Sequence, residues 1–192
     1  MNRFEARAGV PIAPISADLP DWSREAKAFW HWHPSRSLLA SLRAYEKLRG
    51  ATRPDRVATR WLAVLRHRFW SAVSGADIPL GCRIGGGLLL PHPNGVVVHP
   101  DARIGPNCLL MQQVTLGTSG GSPGAPTLAG HVDIGAGAKV LGAVTLGAHA
   151  VVGANAVVLC DVPEGATAVG VPARILAPRP LPIATIEPEA AA

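Results

Sequence analysis

Residues 131–159 read HVDIGAGAKVLGAVTLGAHAVVGANAVVL, and an aliphatic residue recurs in this stretch at every sixth position. The recurring residues are Ile134, Val140, Leu146, Val152 and Val158. This period matches neither the repeat of an α-helix nor the alternation of a β-strand. It is typical of a chain in which one short strand and one turn alternate, so that each unit points one aliphatic residue into a common core.

The same period extends upstream to Asp77 and is interrupted twice. A two-residue shift occurs within Asn94–Val98, and the polar, Gly- and Pro-rich segment Thr118–Thr127 is too irregular for a strand. We expect this segment to loop out and to leave the register intact, either as a functional loop or as a plain insertion. The aliphatic positions before residue 131 are Ile78, Ile84, Leu90, Val96, Val98, Ile104, Leu110, Leu116 and Leu128.

These patterns predict a mainly β fold, a left-handed parallel β-helix of hexapeptide repeats preceded by a small α-helical N-terminal region. The helical region covers residues 1–75 and the β-helix covers residues 76–177, with the loop at 118–127. Residues 178–192 form a Pro-rich tail.

Three helices are predicted in the N-terminal region. The first begins after Asp18 or Asp21 and ends before Pro34, and the second runs from caps at Ser35–Ser37 to Gly50. The residues that the second helix is expected to bury are Leu38, Leu42, Tyr45 and Leu48.

The third helix opens at Pro54, a favoured first helical position. Its apolar residues recur three and four positions apart and predict one buried stripe, with the arginines on the opposite face. The stripe consists of Val57, Trp61, Val64, Leu65 and Phe69. The arginines are Arg53, Arg56, Arg60, Arg66 and Arg68.

Positive charge is concentrated in the helical region. Residues 1–75 hold 13 Lys/Arg against 6 Asp/Glu, a balance of +7, whereas the rest of the chain is at −2. This asymmetry indicates either a solvated helix face or an anionic partner, such as a membrane surface that contacts Trp61, Trp70 and the arginines of the third helix. We expect no nucleic acid partner.

Neither a disulfide framework nor a metal site is predicted from Cys82, Cys108 and Cys160, which are widely spaced and odd in number. The chain has no apolar run of membrane-spanning length and no secretory signal pattern at its beginning. We therefore expect a cytoplasmic protein, with membrane association as an alternative.

Four blocks of the β-helical region resemble serine acetyltransferases of the hexapeptide-repeat acyltransferase superfamily. They are LPHPNGVVV (90–98), QVTLG (113–117), GAGAKVLG (135–142) and GVPARI (170–175). The resemblance implies an acetyl-CoA-dependent O-acetyltransferase that forms a homotrimer or a dimer of trimers. It also implies acetyl-CoA as a co-substrate in the groove between neighbouring prisms, with no bound cofactor and no metal.

The resemblance assigns the general base to His92 and its partner carboxylate to Asp77, which precedes it at the spacing that the family uses. A hydroxyl is a poor nucleophile until a base removes its proton, and a carboxylate on the far imidazole nitrogen orients that base. Taken alone, His92 is better interpreted as a corner histidine bonded to solvent. Its spacing from Asp77, together with the shift and the loop, favours catalysis.

The remaining site residues are predicted contacts to the co-substrate. The Thr118 backbone amide, just after Gly117, is expected to face the thioester oxygen. Main-chain contacts are expected at Gly135, Ala136 and Ala154. Lys139 and Arg174 are interpreted either as phosphate ligands or as exposed charges.

The acceptor site departs from the family pattern. Pro91 stands where the family has an aspartate for the substrate ammonium, and Pro123–Pro126 replaces a segment whose Arg and His hold the substrate carboxylate. Leaving either charge desolvated is costly. The predicted acceptor is therefore a sugar, a glycan precursor or another alcohol. The alternatives are serine O-acetylation in cysteine biosynthesis, with the amino acid held by the N-terminal helices, and a non-catalytic trimeric scaffold.

Overall fold

The computed structural model describes residues 15–28, 30–120 and 123–177, so the predicted Pro-rich tail lies outside the described residues. Short parallel strands form three sheets that close into a prism. The strands are β1 Arg83–Ile84, β2 Val97–Val98, β3 Arg103–Ile104, β4 Leu109–Leu110, β5 Thr115–Gly117, β6 Thr127–Leu128, β7 Asp133–Ile134, β8 Lys139–Leu141, β9 Thr145–Leu146, β10 Val151–Val152, β11 Val157–Val158, β12 Thr167–Val169 and β13 Arg174–Leu176. The sheet orders are β1-β3-β6-β9, β2-β5-β8-β11 and β4-β7-β10-β12-β13, and only the last pair is antiparallel.

Strand pairing explains both interruptions of the sequence period. A regular coil consists of three hexapeptides, as the pairing of Val97 with Thr115 shows. The first coil, from Asp77 to its partner Val97, is longer, and the surplus is the shift at Asn94–Val98. The coil that contains the loop is longer still, because β3 pairs with β6 only at Thr127. Its surplus leaves the prism, and the strands on either side stay in register.

The core of the prism is the predicted aliphatic register. Every one of these residues, from Ile78 to Val158, is buried with 7% or less of its surface exposed. Burial of one such side chain contributes about 1.5–3 kcal/mol, so the stacked stripes are the main favourable term in folding.

The first predicted helix is wrong. Residues 15–28 and 30–33 contain a single 3-10 turn, Trp22–Arg24, and residues 15–25 otherwise run as an irregular strap across the β-helix. Buried Asn107 accepts from the Asp21 N–H (2.8 Å) and donates to the carbonyls of Ser16 and Leu19 (both 2.8 Å). These bonds provide partners for backbone N–H and carbonyl groups of the strap, which therefore do not need a helix to be hydrogen-bonded.

The second predicted helix is α1, Pro34–Leu48. The predicted caps at Ser35–Ser37 are wrong, because the helix already begins at Pro34 and no side chain of His33 caps it. Leu38 and Leu42 are buried as predicted, together with Leu39. Tyr45 and Leu48 are only half-buried.

The third predicted helix is α2, Pro54–Ser74, and its predicted buried stripe is wrong. Trp61, Leu65 and Phe69 are 61%, 60% and 56% exposed, and the face turned inward carries Ala63, His67 and Ser74 instead. These smaller or polar side chains allow α2 to pack closely against α1 and the first coil. The arginines are not on one opposite face, since exposed Arg66 and Arg68 neighbour the exposed apolar residues.

His67 joins both helices to the start of the β-helix. Its Nε2 donates to the Ile78 carbonyl (2.9 Å), and its Nδ1 lies 3.3 Å from Ser41 Oγ on α1. Burial lowers the pKa of His67, although the bond to Ile78 and the nearby charge of Asp77 oppose that effect. The neutral imidazole is therefore the form that fits this position.

We expect His67 to make the free energy of unfolding depend on pH. Because its pKa is lowered in the folded protein, the unfolded chain takes up the proton first, so the stabilisation is present above about pH 6.5 and is lost as the pH falls below that value. His67→Gln should cost about 1–3 kcal/mol near neutral pH and less at pH 5. Urea unfolding of both proteins between pH 7.5 and 5 measures this.

A His92→Asn variant is the control, since His92 is exposed and has no hydrogen-bond partner in the described part of the chain. It should keep the wild-type pH dependence. A His67→Gln protein with that same dependence would show that His67 does not couple protonation to stability.

Candidate functional site

One edge of the prism collects most of the predicted site residues. This motif edge consists of the four corners at residues 91–95, 111–113, 135–137 and 153–155, which lie between the sheets that contain β7 and β8. Successive corners are hydrogen-bonded, from the Gln113 N–H to the Asn94 carbonyl (2.9 Å), from Gly137 to Gln112 (2.9 Å) and from Asn155 to Ala136 (2.8 Å). With coils about 4.8 Å apart, the edge runs about 14 Å from the first corner to the last.

The far part of the motif edge is nearly bare of side chains. Gly135 and Ala136 form one corner, and Ala154 lies on the next coil. A Cβ atom at Gly135 would lie only 2.6 Å from the Ala154 backbone nitrogen, so only glycine fits there. Such a surface allows a long, flexible ligand to approach the backbone.

The predicted catalytic pair lies at the other end of the motif edge. His92 is at its first corner, and Asp77 bridges to Val97 on the adjoining sheet. The chain that leaves α2 reaches this corner through a bond from the Gly95 N–H to the Gly75 carbonyl (2.8 Å). Both side chains are exposed, and no hydrogen bond joins them in the described residues. The assignment of this pair stays a prediction.

The other predicted residues are more dispersed. Gly117 ends β5, its carbonyl accepts from the Gly142 N–H (2.9 Å), and exposed Thr118 opens the loop. Lys139 Nζ donates to the Gln113 carbonyl (2.5 Å), so this side chain crosses to the motif edge. Arg174 is exposed on β13, near the last described residues.

A cavity of about 280 Å³ adjoins the first corner of the motif edge, and we call it the basic cavity. It lies between the strap, the beginning of α1 and the first coil, and it ends at Pro91, the residue before His92. Its basic residues are Arg24, His33 and Arg36, and its apolar wall is formed by Leu39 and 88–90. These basic residues were missed because the sequence pattern placed the positive charge on the third helix.

Two histidines on another edge of the prism bond to each other. His131 and His149 are at turn positions with φ of 53° and 59°, and their Nδ1 atoms are 2.7 Å apart. Burial and the neighbouring His149 lower the pKa of His131, which nearby Asp133 opposes. No group of three or more His, Cys, Asp or Glu that could bind a metal ion occurs in the described ranges.

Comparison with known proteins finds relatives that match part of the chain. No protein-family model matches the chain. The serine acetyltransferase of Synechococcus elongatus is 45% identical over 106 residues, which cover 54% of this chain and 43% of that protein. The serine acetyltransferase of Escherichia coli K12 is 43% identical over 119 residues, which cover 61% and 44%. Over 54% and 61% of its length, the chain is therefore similar to these two serine acetyltransferases.

Solved structures agree with this assignment. Soybean serine acetyltransferase complexed with serine matches with a TM-score of 0.64 and 38% identity over 76% of this chain and 58% of that chain. A serine acetyltransferase in complex with CoA matches with a TM-score of 0.63 and 35% identity over 76% and 57%. The predicted left-handed parallel β-helix is confirmed. The chain spans less than half the length of these two curated relatives.

Proposed function

We propose that this protein is an acetyl-CoA-dependent O-acetyltransferase in which His92 is the general base. The observation that carries the proposal is the motif edge. It aligns His92 with the bare backbone of Gly135, Ala136 and Ala154, over a length that suits an extended co-substrate. A relative of similar fold is known in complex with CoA, which supports the same co-substrate here.

The proposed reaction transfers an acetyl group from a thioester to a hydroxyl. One nitrogen of His92 takes the hydroxyl proton as the oxygen attacks the carbonyl carbon. The carbon–sulfur bond then breaks, and the thiolate of CoA takes that proton from the imidazolium, which returns His92 to its neutral form. Asp77 would accept a hydrogen bond from the other imidazole nitrogen and stabilise the imidazolium. Such bonds often tighten only when substrates are bound, so the open geometry of the unliganded pair is compatible with this role.

The residues predicted to contact the co-substrate are assigned to its thioester and to its phosphates. The Thr118 amide, next to Gly117, would donate to the oxygen that becomes negative in the tetrahedral intermediate. The two N–H groups of Lys139 that do not bond to Gln113 remain for a phosphate, and exposed Arg174 would provide a second cation. The homotrimer, the dimer of trimers and the cytoplasmic location remain predictions.

The comparisons favour serine over a sugar as the acceptor. The relatives carry the name serine acetyltransferase, and one of them is known complexed with serine. A sugar or glycan precursor has no support in these similarities. We therefore propose serine, or a small hydroxy compound like it, as the acceptor, which corrects the expectation drawn from Pro91 and Pro123–Pro126.

His92→Ala is expected to lower kcat for acetyl transfer by about 10²–10⁴-fold, because general-base assistance is lost. Asp77→Asn should lower kcat as well, with little change in the KM for acetyl-CoA. Thiol release from acetyl-CoA with L-serine, and separately with a panel of sugars, measures both variants.

His99→Ala is the matched control, since His99 is also a β-helix residue close to a corner but lies away from the motif edge. It should retain wild-type turnover. A His92→Ala enzyme that folds and keeps full activity would overturn the assignment of the base, and a wild type inactive with every acceptor would favour the scaffold alternative.

The exposed face of α2 supports a second, separate proposal of binding to an anionic membrane surface. Trp61, Leu65, Phe69 and Val73 follow one another at helical spacing and are 40–61% exposed, with exposed Arg66 and Arg68 beside them. No helix in the part of the chain that the structure describes is long and apolar enough to cross a membrane. An amphipathic helix of this kind lies in the interface plane, and its arginines complement anionic lipid better than a second copy of the same basic face.

Wild-type protein is expected to sediment with phosphatidylserine-containing vesicles at low salt and to be released at high salt. Leu65→Glu should weaken this binding about tenfold or more, because the leucine side chain that would be buried in the lipid interface is lost. Leu159→Glu is the control, since Leu159 is 54% exposed on the β-helix and Leu65 is 60% exposed. No vesicle binding by the wild type, with self-association that Leu65→Glu abolishes, would instead make this face an interface between copies.

A further inference from the structure

We propose that the basic cavity binds the carboxylate of the acceptor, so that the substrate class is small hydroxy carboxylates and the amino group of serine is dispensable. This inference rests on the proposed acetyltransferase function. It assigns the recognition of the acceptor to Arg24 and Arg36, on the strap and on the first turn of α1. Both residues line the same cavity beside Pro91.

Part of the guanidinium group of Arg24 is buried and lacks hydrogen-bond acceptors among the described residues. Its Nε and Nη1 atoms are buried and have no hydrogen-bond partner among the described residues. The next residue, Glu25, does not help, because its carboxylate pairs with Arg43 (2.9 Å) and accepts from the N–H groups of Gly87 (2.8 Å) and Leu88 (3.1 Å). Buried guanidinium atoms without acceptors are unfavourable, so an anion in the cavity that Arg24 lines would offset part of this cost through its attraction to the positive charge.

Arg36 and the beginning of α1 add positive potential to the same cavity. Arg36 Nη1 donates to the Ala26 carbonyl (2.5 Å), which fixes the side chain without neutralising its charge. The helix is 15 residues long, begins at Pro34 and has no side-chain cap. The first backbone N–H groups of a helix lack internal acceptors and favour an anion, and Ser35 and Arg36 line the cavity at this position.

The cavity has nothing to hold an ammonium group. No carboxylate is among its described lining residues, and Pro91 offers no side-chain acceptor. Asp21 and Asp133 lie within electrostatic range of Arg24, but in the described chain no hydrogen bond joins either of them to it. Burial raises the pKa of Asp133, which His131 and Arg24 oppose. The site therefore recognises the negative end of an acceptor and not a positive one.

The position of the cavity suits the proposed chemistry. It ends at Pro91, and the α-carbons of Pro91 and His92 are about 3.8 Å apart, so an acceptor that fills the cavity as far as Pro91 lies next to the residue that bears the proposed base. The cations that the loop segment Pro123–Pro126 lacks are thus replaced by cations from the strap and α1. A neutral sugar would leave these arginines without an acceptor.

The test compares three acceptors that share a primary hydroxyl: L-serine, glycerate, which lacks the amine, and L-serinamide, which lacks the carboxylate. For the full chain, kcat/KM should be within about tenfold for serine and glycerate and about 100-fold or more lower for serinamide, because charge-assisted hydrogen bonds are lost. Arg24→Gln and Arg36→Gln should each raise the KM for serine about tenfold or more, leave the KM for acetyl-CoA unchanged and reduce the discrimination against serinamide.

Arg66→Gln, on the exposed face of α2, is the control and should change none of these values. Arg24→Lys keeps the charge and separates recognition from folding, since it should bind serine better than Arg24→Gln at equal thermal stability. Equal use of serine and serinamide, or unchanged KM in both glutamine variants, overturns the inference while the proposed function stands. Turnover of neutral sugars alone overturns it as well.

If the wild type transfers acetyl to none of these acceptors, the proposed function fails, and direct calorimetric binding of glycerate then decides the cavity. Binding to the wild type that is lost in Arg24→Gln upholds the anion site. No binding to the wild type overturns it.

Discussion

Backbone pairing between successive coils is the constraint on which the rest of the structure depends. Residues one coil apart in sequence become neighbours about 4.8 Å apart, as the pair of Val97 and Thr115 shows. Any surplus residues must leave the prism at a corner or an edge, because a shift of register inside it would bury polar side chains. The extra residues at Asn94–Val98 and in the loop after Gly117 are both expelled in this way. The shift overlaps the first corner of the motif edge and the loop begins on the adjoining sheet, so both irregularities lie close to the proposed chemistry.

The β-helix was predictable because its signal is local and repeated. Each hexapeptide alone points one aliphatic residue inward, and every member of that register from Ile78 to Val158 is buried. The strap was not predictable, since its conformation is decided by hydrogen bonds between residues far apart in sequence, from Asn107 to Asp21 and Ser16. The inward face of α2 was misassigned for a related reason. Helical periodicity identifies an apolar face but not its partner, and here Ala63 and His67 fit α1 and Ile78 better than Trp61 would.

The candidate site likewise divides into residues that local sequence motifs identify and residues that only contacts between distant parts of the chain bring together. His92, Asp77 and the bare corners were found because their motifs are contiguous in sequence, and the coils then bring them to one edge or to the sheet next to it. Arg24 and Arg36 have no such motif: the strap, which is held by Asn107 and Glu25, brings Arg24 to the cavity beside Pro91, and α1 brings Arg36 there. In the proposed enzyme, the β-helix would therefore hold the acetyl donor, and the N-terminal region would hold the acceptor.

A role of the N-terminal region in binding an anionic acceptor accounts for its positive charge better than the alternative that all its basic side chains are simply solvated. A surface arginine is normally placed with its guanidinium in water, where hydration satisfies every donor. Arg24 instead has two nitrogen atoms buried without acceptors, while neighbouring Glu25 is fully bonded. No carboxylate in the described chain accepts a bond from those two atoms, and a buried charge without a partner is unfavourable. The arrangement is favourable in a state in which an anion occupies the cavity, and the residue at the end of that cavity is the one that precedes His92.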